Sequence, residues 1–209
     1  MNRIRIMAAT TAFLIVALGS AAGAFPFGDI RFWVGSGDNQ AAFVIDWNNG
    51  KTPESLAWGY RWGGAATGKD MLNAVVSTDP RLYANFRDSG NTVYGLGYDA
   101  DNDGFTYVPG PNDTGHAADP DDHYREGWMY AGYWSYYAST DGTNWDYAPA
   151  GFRERTLSSG DWDGWVFAPS PTWDGGVPST PAAAEPIPEP GSLVALALGF
   201  GSVIVRKRR

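Results

Sequence analysis

The sequence predicts an α+β domain: a mainly antiparallel, aromatic-rich sheet with one helix at about residues 68–78. Three observations lead there. Short apolar runs recur between clusters of Asp, Asn and Gly, the signature of strands separated by turns. One stretch alone carries a helical apolar stripe. The 209-residue chain has ten Trp, eleven Tyr and no Cys, so packing of large rings must supply the stability that disulfides cannot.

The elements follow in order. Residues 30–34 read as a strand, and residues 41–47 as a second that closes at Asn48-Asn49-Gly50. Residues 56–62 alternate large and small side chains and stop at Gly63-Gly64. Thr67 caps the helix, in which Met71, Leu72, Val75 and Val76 form one stripe. Asp79-Pro80 reads as the cap and first position of a short turn reaching residue 86. Strand character returns over residues 92–98. Residues 99–127 are polar and rich in Asp, Gly and Pro, a long loop with one short strand at 105–108. A loop of that length in a compact domain is functional or disordered. An aromatic strand is expected over residues 128–138, then a turn at Asp141-Gly142 into Trp145-Asp146-Tyr147. Residues 160–164 read as another turn before Trp165-Val166-Phe167. The globular domain is thus expected over residues 25–168, with 169–186 as a Pro- and Ala-rich linker.

Charge narrows the partners. Residues 25–187 hold nine Lys and Arg against 22 Asp and Glu, a net charge of −13. Nucleic acid and anionic lipid both require a cationic face, so neither is an expected partner. The absence of Cys removes thiol nucleophiles, iron–sulfur clusters and Cys-ligated zinc.

The sharpest site signal is Asp99-Ala100-Asp101-Asn102-Asp103-Gly104. Alternate carboxylates in a curling loop can converge on one hard cation, and Gly permits the sharp turn, as in calcium-binding loops. Gly110 stands where an EF-hand needs Glu, so any closing carboxylate is remote, with Asp119, Asp121 and Asp122 as candidates. The same stretch also reads as a solvated acidic turn. His116 and His123, the only histidines, could join those aspartates around a transition metal or sit free in a polar loop. No Gly-x-Ser-x-Gly elbow places a serine nucleophile, and the carboxylates are too numerous to single out a hydrolytic pair. No catalytic residue is assigned. Trp58, Trp62, Trp128 and Trp134 flank polar side chains and form a candidate ligand face for a sugar ring or flat cofactor. The alternative is that they are core, since strands favour aromatic residues.

Both ends carry transport signals. Arg3 and Arg5 precede a 13-residue apolar stretch over residues 6–18, and Ala22-Gly23-Ala24 is a small-residue cleavage site. Residues 1–24 therefore read as a signal peptide, with Ala22 and Ala24 as its cleavage determinants. At the other end stand Pro188-Glu189-Pro190, a short apolar segment at 191–205, then Arg206-Lys207-Arg208-Arg209. The 13 residues from Leu193 to Val205 rise about 20 Å as a helix, short of the roughly 30 Å bilayer core. The segment suits a transient membrane anchor, with its basic end held cytoplasmic.

This tail, residues 187–209, resembles the PEP-CTERM sorting signal of exported bacterial proteins. The resemblance implies recognition by an exosortase, a membrane-embedded processing enzyme, and removal of the tail. It further implies transfer of the body to the cell surface or an exopolysaccharide matrix. A second resemblance lies in the body. A strand, the Thr67 to Leu72 helix start, Gly127-Trp128-Met129-Tyr130, and Leu157-Ser158-Ser159-Gly160-Asp161 before Trp165 follow in order. That order resembles the β-grasp domain of transcobalamin-like exported proteins, which implies a helix crossing a sheet. The resulting expectation is an exported, non-enzymatic envelope or matrix protein with a structural or binding role. The alternative is a glycan- or corrinoid-binding module, with calcium as its one candidate cofactor. A secreted hydrolase is the weakest reading.

Overall fold

A short strand β1 (Trp33–Gly35) leads into a hairpin of β2 (Asn39–Asp46) and β3 (Ser55–Trp62). The computed structural model describes residues 25–187. Residues 1–24 and 188–209, where the sequence predicts a signal peptide and nearly all of a sorting tail, lie outside the described residues. In β2 the run Ala41–Ile45 is buried on both sides: Ala41, Phe43 and Ile45 face one core, Ala42 and Val44 a second. Such continuous apolar character belongs to a central strand covered on two faces.

The helix α1 (Gly68–Thr78) follows and buries Met71, Leu72 and Val75. Its start is a capping box: the Thr67 hydroxyl accepts from Asp70 N–H while the Asp70 carboxylate accepts from Thr67 N–H. Its end is Asp79, which the sequence reading took as the cap of a following turn. Asp79 is the helix C-cap and also opens the expected turn: its buried carboxylate accepts from Arg81 N–H (3.1 Å), and it holds Trp58 Nε1 (2.9 Å) and Arg81 Nε (2.9 Å) as well. That turn ends at Arg81, and the rest of the stretch to residue 86 is a strand, β4 (Leu82–Arg87), because it pairs antiparallel with β5 (Thr92–Tyr98).

The long polar segment is ordered by pairing. It holds β6 (Tyr107–Val108) against β7 (His116–Ala117), then β8 (His123–Glu126) against β5. Phe105, Tyr107 and Tyr124 gather around Tyr83 with ring centroids 5.0 to 6.1 Å apart. The next long strand, β9 (Gly132–Ser139), begins four residues later than the aromatic pattern suggests, and Trp128, Met129 and Tyr130 lie exposed before it. Then come β10 (Asp146–Tyr147), β11 (Trp162–Pro169) and β12 (Ala182–Ala183). β11 takes in Trp162 to Gly164, where a turn was expected, because every residue there pairs with both β2 and β9.

The main sheet has the order β1-β3-β2-β11-β9-β10. Six of the nine strand pairings among the described residues are antiparallel, while β1–β3, β12–β3 and the central pair of this sheet, β2 and β11, are parallel. One face of the sheet is covered by α1 and by the β4-β5-β8 sheet, through Leu82, Val93 and Leu96. The other face packs under Phe25, Phe27, Ile30 and Trp145. The fold is thus α+β, mostly sheet with one helix and clustered aromatic rings. Among the described residues no helix is long and apolar enough to cross a membrane.

The stretch read as a linker is part of this body. Pro178, Pro181 and Ala184 are buried, and β12 adds to the outer edge of β3 beside Leu56 and Ala57. β1 occupies the next part of the same edge, beside Gly59 to Arg61. Small side chains explain the fit, because Ala184 enters a core lined by larger residues at little volume.

Candidate functional site

The acidic loop begins where β5 ends. Asp99 N–H donates to Arg81 O (2.9 Å), which fixes the loop's first residue against the start of β4. The Asp99 carboxylate is buried and faces forward into the loop that follows it. Its Oδ1 accepts from Asn102 N–H (2.6 Å) and Asp103 N–H (3.2 Å), and its Oδ2 from Gly104 N–H (2.9 Å). Gly104, at φ 122°, takes a backbone conformation that side chains disfavour. The result is a tight curl that brings Asp99, Asp101 and Asp103 together, with one carboxylate oxygen of each within 4.8 Å of the others. Repulsion from Asp101, ahead of slight burial, pushes the Asp103 carboxyl above its ordinary value. An all-oxygen, strongly acidic set of this kind suits a hard divalent cation such as calcium.

Of the three remote carboxylates considered, Asp122 reaches the loop. Its Oδ1 accepts from Ala100 N–H (2.9 Å), while its Oδ2 is buried without a hydrogen-bond partner. Burial, reinforced by the charges of Asp99, Asp119 and Asp101, raises its pKa. Asp119 instead accepts from Asp121 N–H within their own turn. Among the described residues, Asp99, Asp101 and Asp103 form the only converging group of three or more potential ligands. His116 and His123 therefore do not join the aspartates around a shared point. His116 is exposed on β7, and His123 is 1% exposed on β8. The His123 ring lies 4.6 Å from that of Trp47, and its Nδ1 faces the Asn49 side-chain amide at 3.2 Å. An amide donates, so Nδ1 accepts and the ring is neutral. Burial, with a smaller push from Lys51, lowers its pKa to about 4.

The four candidate tryptophans do not form one face. Trp58 is 0% exposed, Trp62 5% and Trp134 7%, whereas Trp128 is 58% exposed. The first three are core. Trp58 is held by Asp79, Trp62 stacks on Tyr60 at 5.4 Å, and Trp134 meets Phe167 edge-on at 5.4 Å. The period-two spacing of Trp58, Tyr60 and Trp62 along β3 reports a buried sheet face, which is also how a ligand face looks in sequence.

Exposed rings gather elsewhere. Trp173 stacks on Tyr133 at 6.0 Å, and the Tyr133 hydroxyl lies 3.0 Å from that of Tyr147. Trp128, Met129 and Tyr130 form a separate exposed turn held by Asp113, whose Oδ2 accepts from Trp128 N–H (3.3 Å) and Tyr130 N–H (3.5 Å). Burial works against the Asp113 charge. Hydrogen bonds from the Tyr94 hydroxyl and the backbone of Trp128, Tyr130 and Met129 outweigh it and hold the carboxyl below its ordinary value. Tyr133 and Tyr147 escaped the sequence reading because they and Trp173, itself one of the tryptophans that flank polar residues, come from three segments with no shared spacing. The turn at Leu157 to Asp161 is structural: Leu157 N–H donates to Ala66 O and Ser158 N–H to Asp161 Oδ2, both at 2.9 Å. Searches against protein families, curated proteins and solved structures find nothing that this chain matches.

Proposed function

We propose that this chain is an exported, non-enzymatic protein of the cell envelope or extracellular matrix. In this reading an exosortase-type enzyme recognises and removes its tail, and the body then has a structural or binding role. The observation that carries it is the tail itself: Pro188-Glu189-Pro190, an apolar segment too short for a comfortable span, and four terminal cations. The signal-peptide pattern at residues 1–24 supports the same route independently. The strand order β3-β2-β11-β9, with a parallel central pair and α1 after the first hairpin, supports a β-grasp-like reading of the body. Mass spectrometry of the protein from a host with an exosortase tests the route. The expected mature chain starts at Phe25 and lacks residues 206–209, and deleting the exosortase restores the tail. A chain that keeps its basic end in the presence of the enzyme would falsify the proposal.

A second reading, a binding module assisted by calcium, is favoured by the convergence of Asp99, Asp101 and Asp103. Exposed Trp128, Tyr147 and Trp173, with half-buried Tyr133 beside the last two, offer ring faces on which a glycan can stack. Calcium at about a hundred times its Kd is expected to add about 2.7 kcal/mol, raising Tm by several degrees over a chelator control. Asp101→Asn and Asp103→Asn should each abolish that rise. The same Tm in calcium and in chelator excludes the site.

A further inference from the structure

The described residues contain three guanidinium groups that are substantially withdrawn from water: Arg81, Arg125 and Arg155. Two of them have acidic partners. Arg81 meets Asp79 at 2.9 Å, and Arg155 meets Asp163 at 2.7 Å and Asp161 at 3.1 Å. Arg125 is different. Among the described residues no carboxylate lies within ion-pair distance of it. Its Nη2 donates to the main-chain carbonyl of Asn48 (3.2 Å), its Nε is buried without a partner, and the group lies 5.4 Å over the Phe167 ring. A withdrawn cation without a counter-charge is unusual anywhere, and more so in a body of net charge −13.

Arg125 lines a cavity of about 460 Å³ between the loop after β2 and the β7–β8 connection. Lys51 lines the same cavity and also has no carboxylate within ion-pair distance; its ammonium donates to the main-chain carbonyl of Asp122. The Asn49 amide and the His116 imidazole add further polar groups, while Ala117 and Pro120 supply apolar wall. We infer that this cavity binds the carboxylate of a small organic acid about the size of a sugar acid, held between Arg125 and Lys51.

The chemistry selects that class. A guanidinium fork matches the two coplanar oxygens of a carboxylate, and an ammonium adds a second, orientation-tolerant charge. The volume falls in the range of small-molecule sites and exceeds what a bare ion fills. Burial lowers the pKa of all three guanidinium groups; nothing opposes it at Arg125, whereas carboxylate neighbours outweigh it at Arg81 and Arg155 and raise theirs above the ordinary value. A bound anion would supply for Arg125 what those neighbours supply for the other two. The inference goes beyond the sorting proposal, which concerns the tail alone, so either can fail without the other.

Isothermal titration of the mature protein with galacturonate, galactose, inorganic phosphate and sulfate is the test. Galacturonate is expected to bind at one site and galactose not to bind. Arg125→Gln and Lys51→Met should each weaken galacturonate at least tenfold. Arg125 also holds the Asn48 carbonyl, so if Arg125→Gln unfolds the protein, Lys51→Met on its partly exposed loop carries the comparison. Amide shifts in NMR should concentrate at Asn49 to Lys51, His116 to Ala118 and Arg125. Equal affinity for galactose, no binding of galacturonate, affinity unchanged in Lys51→Met, or shifts centred elsewhere overturns the inference. Tighter binding of phosphate or sulfate overturns the carboxylate assignment.

Discussion

His123 stacks on Trp47, accepts from Asn49 and sits within the fold as a neutral ring. Its folded pKa of about 4 lies below the value of 6.5 expected when unfolded. The unfolded chain therefore binds the extra proton between these two values, so stability is present above pH 6.5 and is lost as pH falls towards 4. The change from pH 7 to pH 5 should be about 2 kcal/mol from this group. Urea midpoints at the two pH values measure it, and His123→Gln should show a flatter dependence. An identical slope in that variant removes His123 as the cause. The same residue shows what sequence conveys and what it hides. His116 and His123 look alike in a polar stretch, yet one is exposed and the other buried, because only His123 lies on a strand paired to β5. For the acidic loop the sequence was more direct. Its spacing alone anticipates the convergence of Asp99, Asp101 and Asp103. Trp58, Trp62 and Trp134 stood between core and ligand face in the sequence, and only burial resolves them.

Helix α1 was legible to within a residue because cap, stripe and stop are all local signals. β5 was equally clear. The misread elements depend on distant partners. β4 forms because β5 lies beside it, and the first residues of β11 are strand because β2 and β9 flank them. The Pro- and Ala-rich segment ending in β12 is the plainest instance, since its composition is that of a spacer. Its contacts say otherwise. Ser179 N–H donates to the buried Asp46 carboxylate (2.9 Å), Ala184 N–H to Ala57 O (2.9 Å), and Arg81 Nη2 to Glu185 O (2.5 Å). Ending the chain at residue 178 and not at residue 187 should cost about 3 kcal/mol, at roughly 1 kcal/mol for each of these bonds. Chemical denaturation of the two forms checks it, and matching midpoints would restore the linker reading.

For the whole molecule, composition conveyed the class and pairing conveyed the rest. Ten tryptophans without a cysteine imply a core built from rings, and Trp47, Trp58 and Trp162 are among the largest fully buried side chains. The parallel pairing of β2 with β11 joins strands more than a hundred residues apart and has no local signature. The cavity at Arg125 was invisible for a related reason. A cation without a partner is defined by what does not surround it, and sequence spacing cannot show that.

The shared edge of β3 has one more implication. β1 and β12 lie end to end along it, and Arg31 pairs with Glu185 across the gap between the two terminal segments. The described chain therefore starts and finishes at one rim of the domain. In a body held through its C-terminal side, a mechanical load would reach the two residue pairs of β12 first, and the central β2–β11 pair only after those had slipped. Such a domain yields at its margin while its interior stays folded, and it swings from one corner rather than stretching between two.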